Sequence, residues 1–132
     1  MTTIIKIDEK NKMNWQNVTN SGDLKWSGGS WKNYWIKYSE QMWPQHCCRE
    51  ECSNEATDGA HVVCVNSDIK YIVPLCGDHN PRSKEKQKLN PRFSIKIGTV
   101  LVNADDRLLD NIARGKECTN QILDVIENQK YI

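Results

Sequence analysis

The sequence contains no long apolar run and no large excess of charge of either sign. No stretch approaches the roughly 20 apolar residues of a membrane-spanning helix, which excludes a protein built from such helices. The net charge is only +1, so nucleic-acid binding would have to come from a local basic patch rather than from a global field. The first eight residues become charged too early for a secretory signal, and we therefore expect an intracellular protein with no membrane partner.

Apolar side chains are also in short supply. Only 38% of the 132 residues are hydrophobic, and the chain has a single phenylalanine beside its five tryptophans. A chain of this length forms one domain, and a core of this composition is modest. Small domains commonly obtain the missing stability from a bound metal ion, because the free energy of binding becomes free energy of folding.

Six cysteines offer either disulfides or a metal site. Cys47 and Cys52 enclose four residues, 23 residues separate Cys52 from Cys76, and Cys76 and His79 enclose two. This spacing is typical of a zinc ion held by two turns of the chain, and four protein ligands make a zinc site structural rather than catalytic. Zinc is favoured over disulfides because no export signal is present. Cys48 is an alternative to Cys47, since its three-residue gap to Cys52 also closes a turn.

Periodicity and turn residues predict an α+β domain. Ser30 is a good N-cap for a helix from Trp31 to about Gln41, whose aromatic stripe is expected to face the core. A β-hairpin is predicted from residues 60–65 and 69–75. The other predictions are strands at 2–7, 93–97 and 99–102, a loop at 8–25, a basic loop at 82–92 and a helical part from 105 onward.

These elements predict a single domain, 1–132, in three parts. A Trp-rich part at 1–46 precedes a zinc-binding core at 47–80. The last part, 81–132, contains the basic loop, short strands and C-terminal helical segments.

The zinc-binding core also carries a family resemblance. Its paired cysteines, the stretch Gly59-Ala60-His61-Val62 and the run from Tyr71 to Cys76 followed by His79-Asn80 resemble the treble-clef, HNH-type zinc module. The Gly-Ala-His-Val and Tyr-Ile-Val-Pro-Leu-Cys patterns are similar to those of a set of small bacterial and viral proteins. The resemblance covers about a quarter of the chain and implies a treble-clef-like ββ hairpin with flanking helices.

The resemblance implies a catalytic arrangement as well. His61 would be the general base that activates water for phosphodiester cleavage, and Asn80 would help to hold a catalytic Mg²⁺ or Mn²⁺ ion. Two positions depart from the pattern: Ala60 stands where active members often have a metal ligand, and Tyr71 lies near the place of an orienting asparagine. A buried hairpin histidine bonded to a backbone carbonyl is the competing interpretation of His61.

Two functions therefore compete. A cationic run follows the second pair of zinc ligands, where it can contact the phosphates of DNA or RNA, and it comprises Arg82, Lys84, Lys86, Lys88 and Arg92. This run predicts a nucleic-acid-binding zinc protein and, if the resemblance extends to activity, an atypical or degenerate nuclease. The alternative is a protein-interaction or inhibitor module, for example of phage or mobile-element origin, that contacts its partner through the Trp-rich segment 15–43.

Overall fold

Five strands form one antiparallel sheet in the computed structural model, which describes residues 4–18, 26–81 and 83–105. The strand order across the sheet is β1-β5-β4-β3-β2. Within these ranges the helices are α1 and α2, and a 3-10 turn covers Gly77–His79. The element bounds are β1 Ile4–Lys6, β2 Trp15–Asn17, α1 Trp31–Ser39, β3 Asp58–Cys64, β4 Tyr71–Leu75, α2 Lys84–Leu89 and β5 Val100–Asn103.

The hairpin of β3 and β4 forms the centre of the sheet. The β-branched pairs Val62-Val63 in β3 and Ile72-Val73 in β4 favour extended backbone, and β4 is buried along its whole length. Pro74 is tolerated in this central strand because β5 pairs with β4 only at Tyr71 and Ile72, so the missing N–H costs no hydrogen bond there. The carbonyl of Pro74 instead accepts from the N–H of Cys48, at 3.0 Å. The predicted hairpin is confirmed.

Helix α1 covers one face of the sheet, which we call the helix face. The side chain of Ser30 caps the helix by accepting from the N–H of Asn33, and the helix ends where Glu40 adopts a left-handed conformation. Tyr34 and Trp35 are buried against Ile72, Val100 and Val102. Their polar atoms are satisfied by strand carbonyls, with Tyr34 Oη 2.6 Å from the carbonyl of Asn103 and Trp35 Nε1 2.8 Å from that of Val100. The predicted helix and its core-facing stripe are confirmed, with the end two residues earlier.

Gly59 sets how closely α1 approaches the sheet. A Cβ atom at this position would lie 2.4 Å from the backbone carbon of Trp31 and 2.6 Å from the backbone nitrogen of Lys32. Backbone atoms in the first turn of a helix cannot move aside as a flexible side chain can. The close approach of α1 to β3 therefore requires glycine at position 59.

The opposite face of the sheet, the metal face, is covered by loops. Ala60, Val62, Val73 and Leu75 pack there against three cysteines, Cys47, Cys52 and Cys76. A segment containing Phe93 and Ile95 runs beside these cysteines and pairs with the chain at Trp15 and Arg49 through isolated bridges. Successive residues of a strand point to opposite faces, so β3 and β4 contribute to two separate cores.

Several predictions need correction. Residues 84–89 of the predicted basic loop form α2, capped by the hydroxyl of Ser83, and residues 15–17 of the predicted loop 8–25 form β2. The expected strand at 93–97 contributes only isolated bridges, while the expected strand at 99–102 is β5. The C-terminal helical part lies almost entirely outside the described residues. None of the helices in the described ranges is long and apolar enough to cross a membrane.

Candidate metal centre

The first pair of sulfur ligands is held by a tight turn. The N–H of Cys52 donates to the carbonyl of Arg49 at 3.1 Å, and Glu51 between them has a positive φ of 67°. The N–H of Cys47 donates to the carbonyl of Asn54 at 2.8 Å, which closes the loop around both cysteines. This local hydrogen bonding brings the thiols of Cys47 and Cys52 to one side of the turn.

The second pair follows β4 directly. Cys76 is the residue before the 3-10 turn, and the N–H of His79 donates to the carbonyl of Cys76 at 3.2 Å. One turn of 3-10 helix places residues three apart on the same side. The imidazole of His79 and the thiol of Cys76 therefore face the same point, as the Cys-x2-His spacing predicts.

The two turns meet in a single cluster of three cysteines and one histidine. The ligand atoms of Cys47, Cys52, Cys76 and His79 all lie within 4.8 Å of one another. His79 Nδ1 is 3.4 Å from Cys76 Sγ and 3.7 Å from Cys47 Sγ, and the sulfurs of Cys52 and Cys76 are 3.9 Å apart. The cysteines are free rather than disulfide-bonded. The cluster can hold a metal ion.

These separations fit zinc. Bond lengths of about 2.3 Å to sulfur and about 2.0 Å to nitrogen imply that tetrahedral ligands lie about 3.8 Å apart for two sulfurs and about 3.5 Å apart for sulfur and nitrogen. The observed separations of 3.9 Å and of 3.4 and 3.7 Å lie close to these values. Thiolate and imidazole are also the ligand types that zinc prefers.

The protonation of the ligands depends on their surroundings. Burial raises the pKa of the Cys47 thiol to about 12, against the opposing effect of the backbone N–H groups of Arg49 and Cys76. Burial also acts to raise the pKa of Cys76, but hydrogen bonds from the side chain of Asn54 and the backbone of His79 outweigh it and lower that pKa. Burial and the nearby charge of Arg49 lower the pKa of His79, which favours the neutral imidazole that a metal needs.

Lys96 is a further residue of the site that the sequence did not single out. Its Nζ donates to the carbonyl of Cys47 at 2.8 Å and to that of Cys52 at 2.6 Å, so one ammonium group ties both ends of the first turn. In the described ranges Lys96 has no carboxylate partner. A zinc ion with three thiolates and a neutral imidazole would carry one net negative charge, which this ammonium group would offset.

The remaining cysteines of the described ranges stand outside the cluster. Cys48, the alternative ligand, is buried near Thr99, and burial raises its pKa against the opposing effects of Thr99 and Lys96. Cys64 is half-buried on β3 opposite Trp15. The structure thus brings Cys47, and not Cys48, to the other three ligands.

His61 does not lie beside the metal cluster. Its side chain is 4% exposed and sits under the indole of Trp31, with 4.4 Å between ring centroids. Burial, assisted by the charge of Lys70, lowers the pKa of His61 to about 4. The expected carbonyl partner of a buried histidine is missing at Nε2, which has no hydrogen-bond partner in the described part of the chain. His61 therefore occupies a buried position enclosed by α1.

Asn80 lies on the other side of the sheet from His61. Its Nδ2 donates to Oδ2 of Asp58 at 3.0 Å, and both side chains line a cavity of about 310 Å³. Asp58 shares the parity of Ala60 and Val62 on β3, whereas His61 has the opposite parity. The two residues predicted to act together are thus separated by the sheet, and Asp58 is the one carboxylate lining that cavity in the described ranges.

One residue of the predicted basic run, Lys86, lines a second cavity, of about 350 Å³, which we call the β2–α2 cleft. Lys86 lines both this cleft and the one beside Asn80, and Arg49 and the ligand His79 also line the β2–α2 cleft. Lys88 and Arg92, which are close to Lys86 in the sequence, are exposed to solvent. Arg82 lies outside the described residues. Arg49 is a basic residue that the predicted run missed, because it lies 33 residues before Arg82 in the chain.

In comparisons with family models, curated proteins and solved structures, no match to this chain was found. Function therefore has to be inferred from the geometry of the site.

Proposed function

We propose that this chain is a zinc-stabilised protein that binds nucleic acid through the basic side chains around α2. The observation that carries the proposal is the position of Arg49 and Lys86, which line the same cleft beside the metal ligand His79. Neither side chain forms an ion pair within the described ranges, so both are available for phosphate. Between Arg82 and Lys96 six residues are basic and Glu85 alone is acidic, which adds local positive charge to a nearly neutral chain.

The metal in this proposal is a structural zinc ion of a treble-clef-like, HNH-type module. Four protein ligands fill a tetrahedral site and leave no position open for substrate. The order of elements supports the assignment, since a cysteine turn is followed by the β3–β4 hairpin, a second ligand pair and α2. The role of zinc is then to fix the two turns and to place α2 beside the sheet.

Binding without cleavage is the form of this function that the geometry favours. A general base has to reach the water or hydroxyl that it deprotonates, and His61 is enclosed under Trp31. It also lies across the sheet from Asn80, where a phosphate and a divalent ion would be expected to meet. We expect the His61→Ala variant to leave any DNA or RNA cleavage in Mg²⁺ or Mn²⁺ unchanged, and a loss of cleavage in that variant would contradict this interpretation.

The test is the salt dependence of binding to fluorescently labelled single- and double-stranded oligonucleotides, measured by anisotropy from about 50 to about 200 mM salt. We expect affinity to fall steeply with salt, and Lys84→Gln/Lys86→Gln/Lys88→Gln to reduce the logarithmic slope by about 3, one for each phosphate contact removed. The matched control is Lys6→Gln/Lys37→Gln/Lys70→Gln, which removes equal charge elsewhere. Equal effects of the two triple variants, or no binding at all, would overturn the proposal.

The alternative function is a protein-interaction module that contacts its partner through the Trp-rich segment 15–43. Part of this expected contact surface is buried. Trp15 and Trp35 are 2% and 3% exposed, and Trp26, Trp31 and Trp43 are each partly buried against the helix-face core. Little tryptophan surface is thus left for a partner in the described ranges. Failure to bind any nucleic acid, together with stoichiometric co-purification of one protein, would favour this alternative.

A further inference from the structure

The cavity beside Asn80 contains a carboxylate with an unpaired oxygen. Oδ2 of Asp58 accepts from Nδ2 of Asn80 at 3.0 Å, and this bond fixes the orientation of both side chains. In the part of the chain that the structure describes, Oδ1 of Asp58 has neither a hydrogen-bond nor an ion-pair partner. Asp58 is half-buried and lines the cavity, and its Oδ1 is not an enclosed atom. A ligand in the cavity therefore meets a hydrogen-bond acceptor that is already held in position.

This acceptor lies beside a cation of the proposed phosphate-binding surface. Lys86 lines the same cavity and also the β2–α2 cleft, where Arg49 lies. A carboxylate repels phosphate, so Asp58 weakens the attraction of this surface for a ligand that carries only negative charge. A nucleic acid bound at Lys86 is stabilised by Asp58 only if it presents a hydrogen-bond donor next to its phosphate.

Nucleic acids offer two kinds of donor, the N–H groups of the bases and the 2′-hydroxyl group of ribose. Proteins that read an unpaired base stack it on aromatic side chains or on arginine. Among the described residues, neither side-chain type lines this cavity, whose other members are Gly77, Pro81 and Ser83. The lining therefore favours a sugar over a base.

The size of the cavity agrees with this choice. Its volume of about 310 Å³ is at the lower end of the range for ligand pockets, and a ribose with its phosphate is a small ligand. In RNA the 2′-hydroxyl is on the carbon next to the one that carries the 3′-phosphate. One nucleotide of RNA thus places a donor and an anion side by side, as Asp58 and Lys86 require.

We propose that the cavity beside Asn80 binds the ribose of an RNA strand, with the 2′-hydroxyl donating to Oδ1 of Asp58 and the adjacent phosphate at Lys86. The inference rests on the proposed nucleic-acid-binding function and deepens it, because it names RNA rather than DNA as the substrate class. Deoxyribose leaves the Asp58 carboxylate unpaired beside a phosphate, which disfavours DNA.

The experiment compares three labelled single strands of one sequence that contains neither uracil nor thymine, made as RNA, DNA and 2′-fluoro RNA. Binding to the zinc-loaded full chain is measured by anisotropy without added Mg²⁺ or Mn²⁺. We expect RNA to bind about tenfold tighter than DNA, as for loss of a hydrogen bond to a charged group. The 2′-fluoro strand has a small substituent that cannot donate, so it should bind like DNA.

The matched variants are Asp58→Ala and Asp68→Ala. Asp58→Ala removes the acceptor together with the repulsion of phosphate, and it should reduce the preference for RNA to less than about twofold. Asp68 is exposed in the connection between β3 and β4, at the opposite end of the hairpin from Asp58. Asp68→Ala removes the same charge and should keep the tenfold preference.

The outcomes separate this inference from the proposed function. If RNA and DNA bind equally and with steep salt dependence, the ribose site is wrong and the proposed function stands. Equal binding of RNA and 2′-fluoro RNA overturns the site even if Asp58→Ala fails to fold. A preference for RNA that requires added Mg²⁺ would mean that Asp58 holds a cation, which also overturns it. If no strand binds, the proposed function is wrong and the ribose site with it.

Discussion

The two faces of the sheet are stabilised by different physical means. On the helix face, α1 buries Tyr34 and Trp35 and each donates a hydrogen bond to a strand carbonyl. On the metal face, the sheet is covered by irregular loops whose buried thiols surround one point. Aromatic side chains cover the helix face, whereas we expect the loops of the metal face to depend on a bound ion for their position. The difference predicts that metal removal affects one face first and that packing defects affect the other.

The largest effect is expected from removing a metal ligand. Structural zinc contributes an apparent binding free energy on the order of 10 kcal/mol, which is comparable to the whole stability of a small domain. The Cys47→Ser variant should therefore lose its zinc, measured by mass spectrometry. It should also lose the near-ultraviolet circular dichroism of the folded protein. Cys48→Ser is the matched control, since Cys48 is the adjacent buried cysteine outside the cluster. Zinc loss in Cys48→Ser with retention in Cys47→Ser would reverse the ligand assignment.

A packing defect on the helix face should come next. Gly59→Ala places a Cβ 2.4 Å from the backbone of Trp31, and we expect the free energy of unfolding of the zinc-loaded protein to fall by about 3 kcal/mol in urea titrations. Gly77→Ala is the control, because a Cβ there meets nothing within 4 Å. It should change stability by less than about 0.5 kcal/mol while zinc content stays the same in both variants. An equal loss of unfolding free energy in the two variants would mean that α1 does not lie so close to β3.

Acid should destabilise the helix face through His61. Its pKa is lowered from 6.5 to about 4 in the folded chain, so between these values the unfolded chain binds the proton more strongly and stability falls as pH falls. At pH 5 this contribution is a loss of about 2 kcal/mol relative to neutral pH. His61→Leu should remove it. Since the metal ligands titrate in both proteins, the difference between their pH profiles isolates His61, and parallel profiles would contradict its burial.

The smallest effect is expected at Lys96, behind the metal cluster. Lys96→Met removes two hydrogen bonds to the carbonyls of Cys47 and Cys52 together with the offsetting charge, and zinc affinity should fall about tenfold in chelator competition. Lys12→Met is the control, because the partners of Lys12 in the described part of the chain are exposed glutamates, Glu9 and Glu50. A matching loss of affinity in Lys12→Met would show that general charge, rather than the position of Lys96, matters.

The features that sequence predicted well depend on local signals. The helix start at Ser30 and the β3–β4 hairpin each follow from neighbouring residues, and the metal ligands follow from two short spacings. Strand β2 was missed because three residues of mixed polarity form a strand only by pairing with β3, 45 or more residues away. Helix α2 was missed because its charged sequence has no apolar period, although Ser83 was a usable N-cap signal.

The site residues divide in the same way. The four candidate metal ligands could be predicted from spacing, but the contacts of His61 and Asn80 depend on which faces of β3 are occupied by His61 and by Asp58. Lys96 contacts the turn that carries Cys47, and Arg49 lines the β2–α2 cleft beside His79. No local sequence pattern indicates either residue. The Gly59-Ala60-His61-Val62 stretch that resembled a catalytic motif is accounted for here by packing, with Gly59 admitting α1 and His61 lying beneath Trp31.

The complete burial of β4 makes the two halves of this molecule inseparable. A fragment limited to residues 47–80 would keep every metal ligand, yet it would leave Ile72 bare to water because α1 and β5 would be gone. A chain that kept β4 but lacked the loop that carries Cys47 and Cys52 would in turn uncover Val73 and Leu75. Strand β4 thus belongs to both cores. A fragment that removes the covering from either face of β4 should expose its apolar side chains and aggregate.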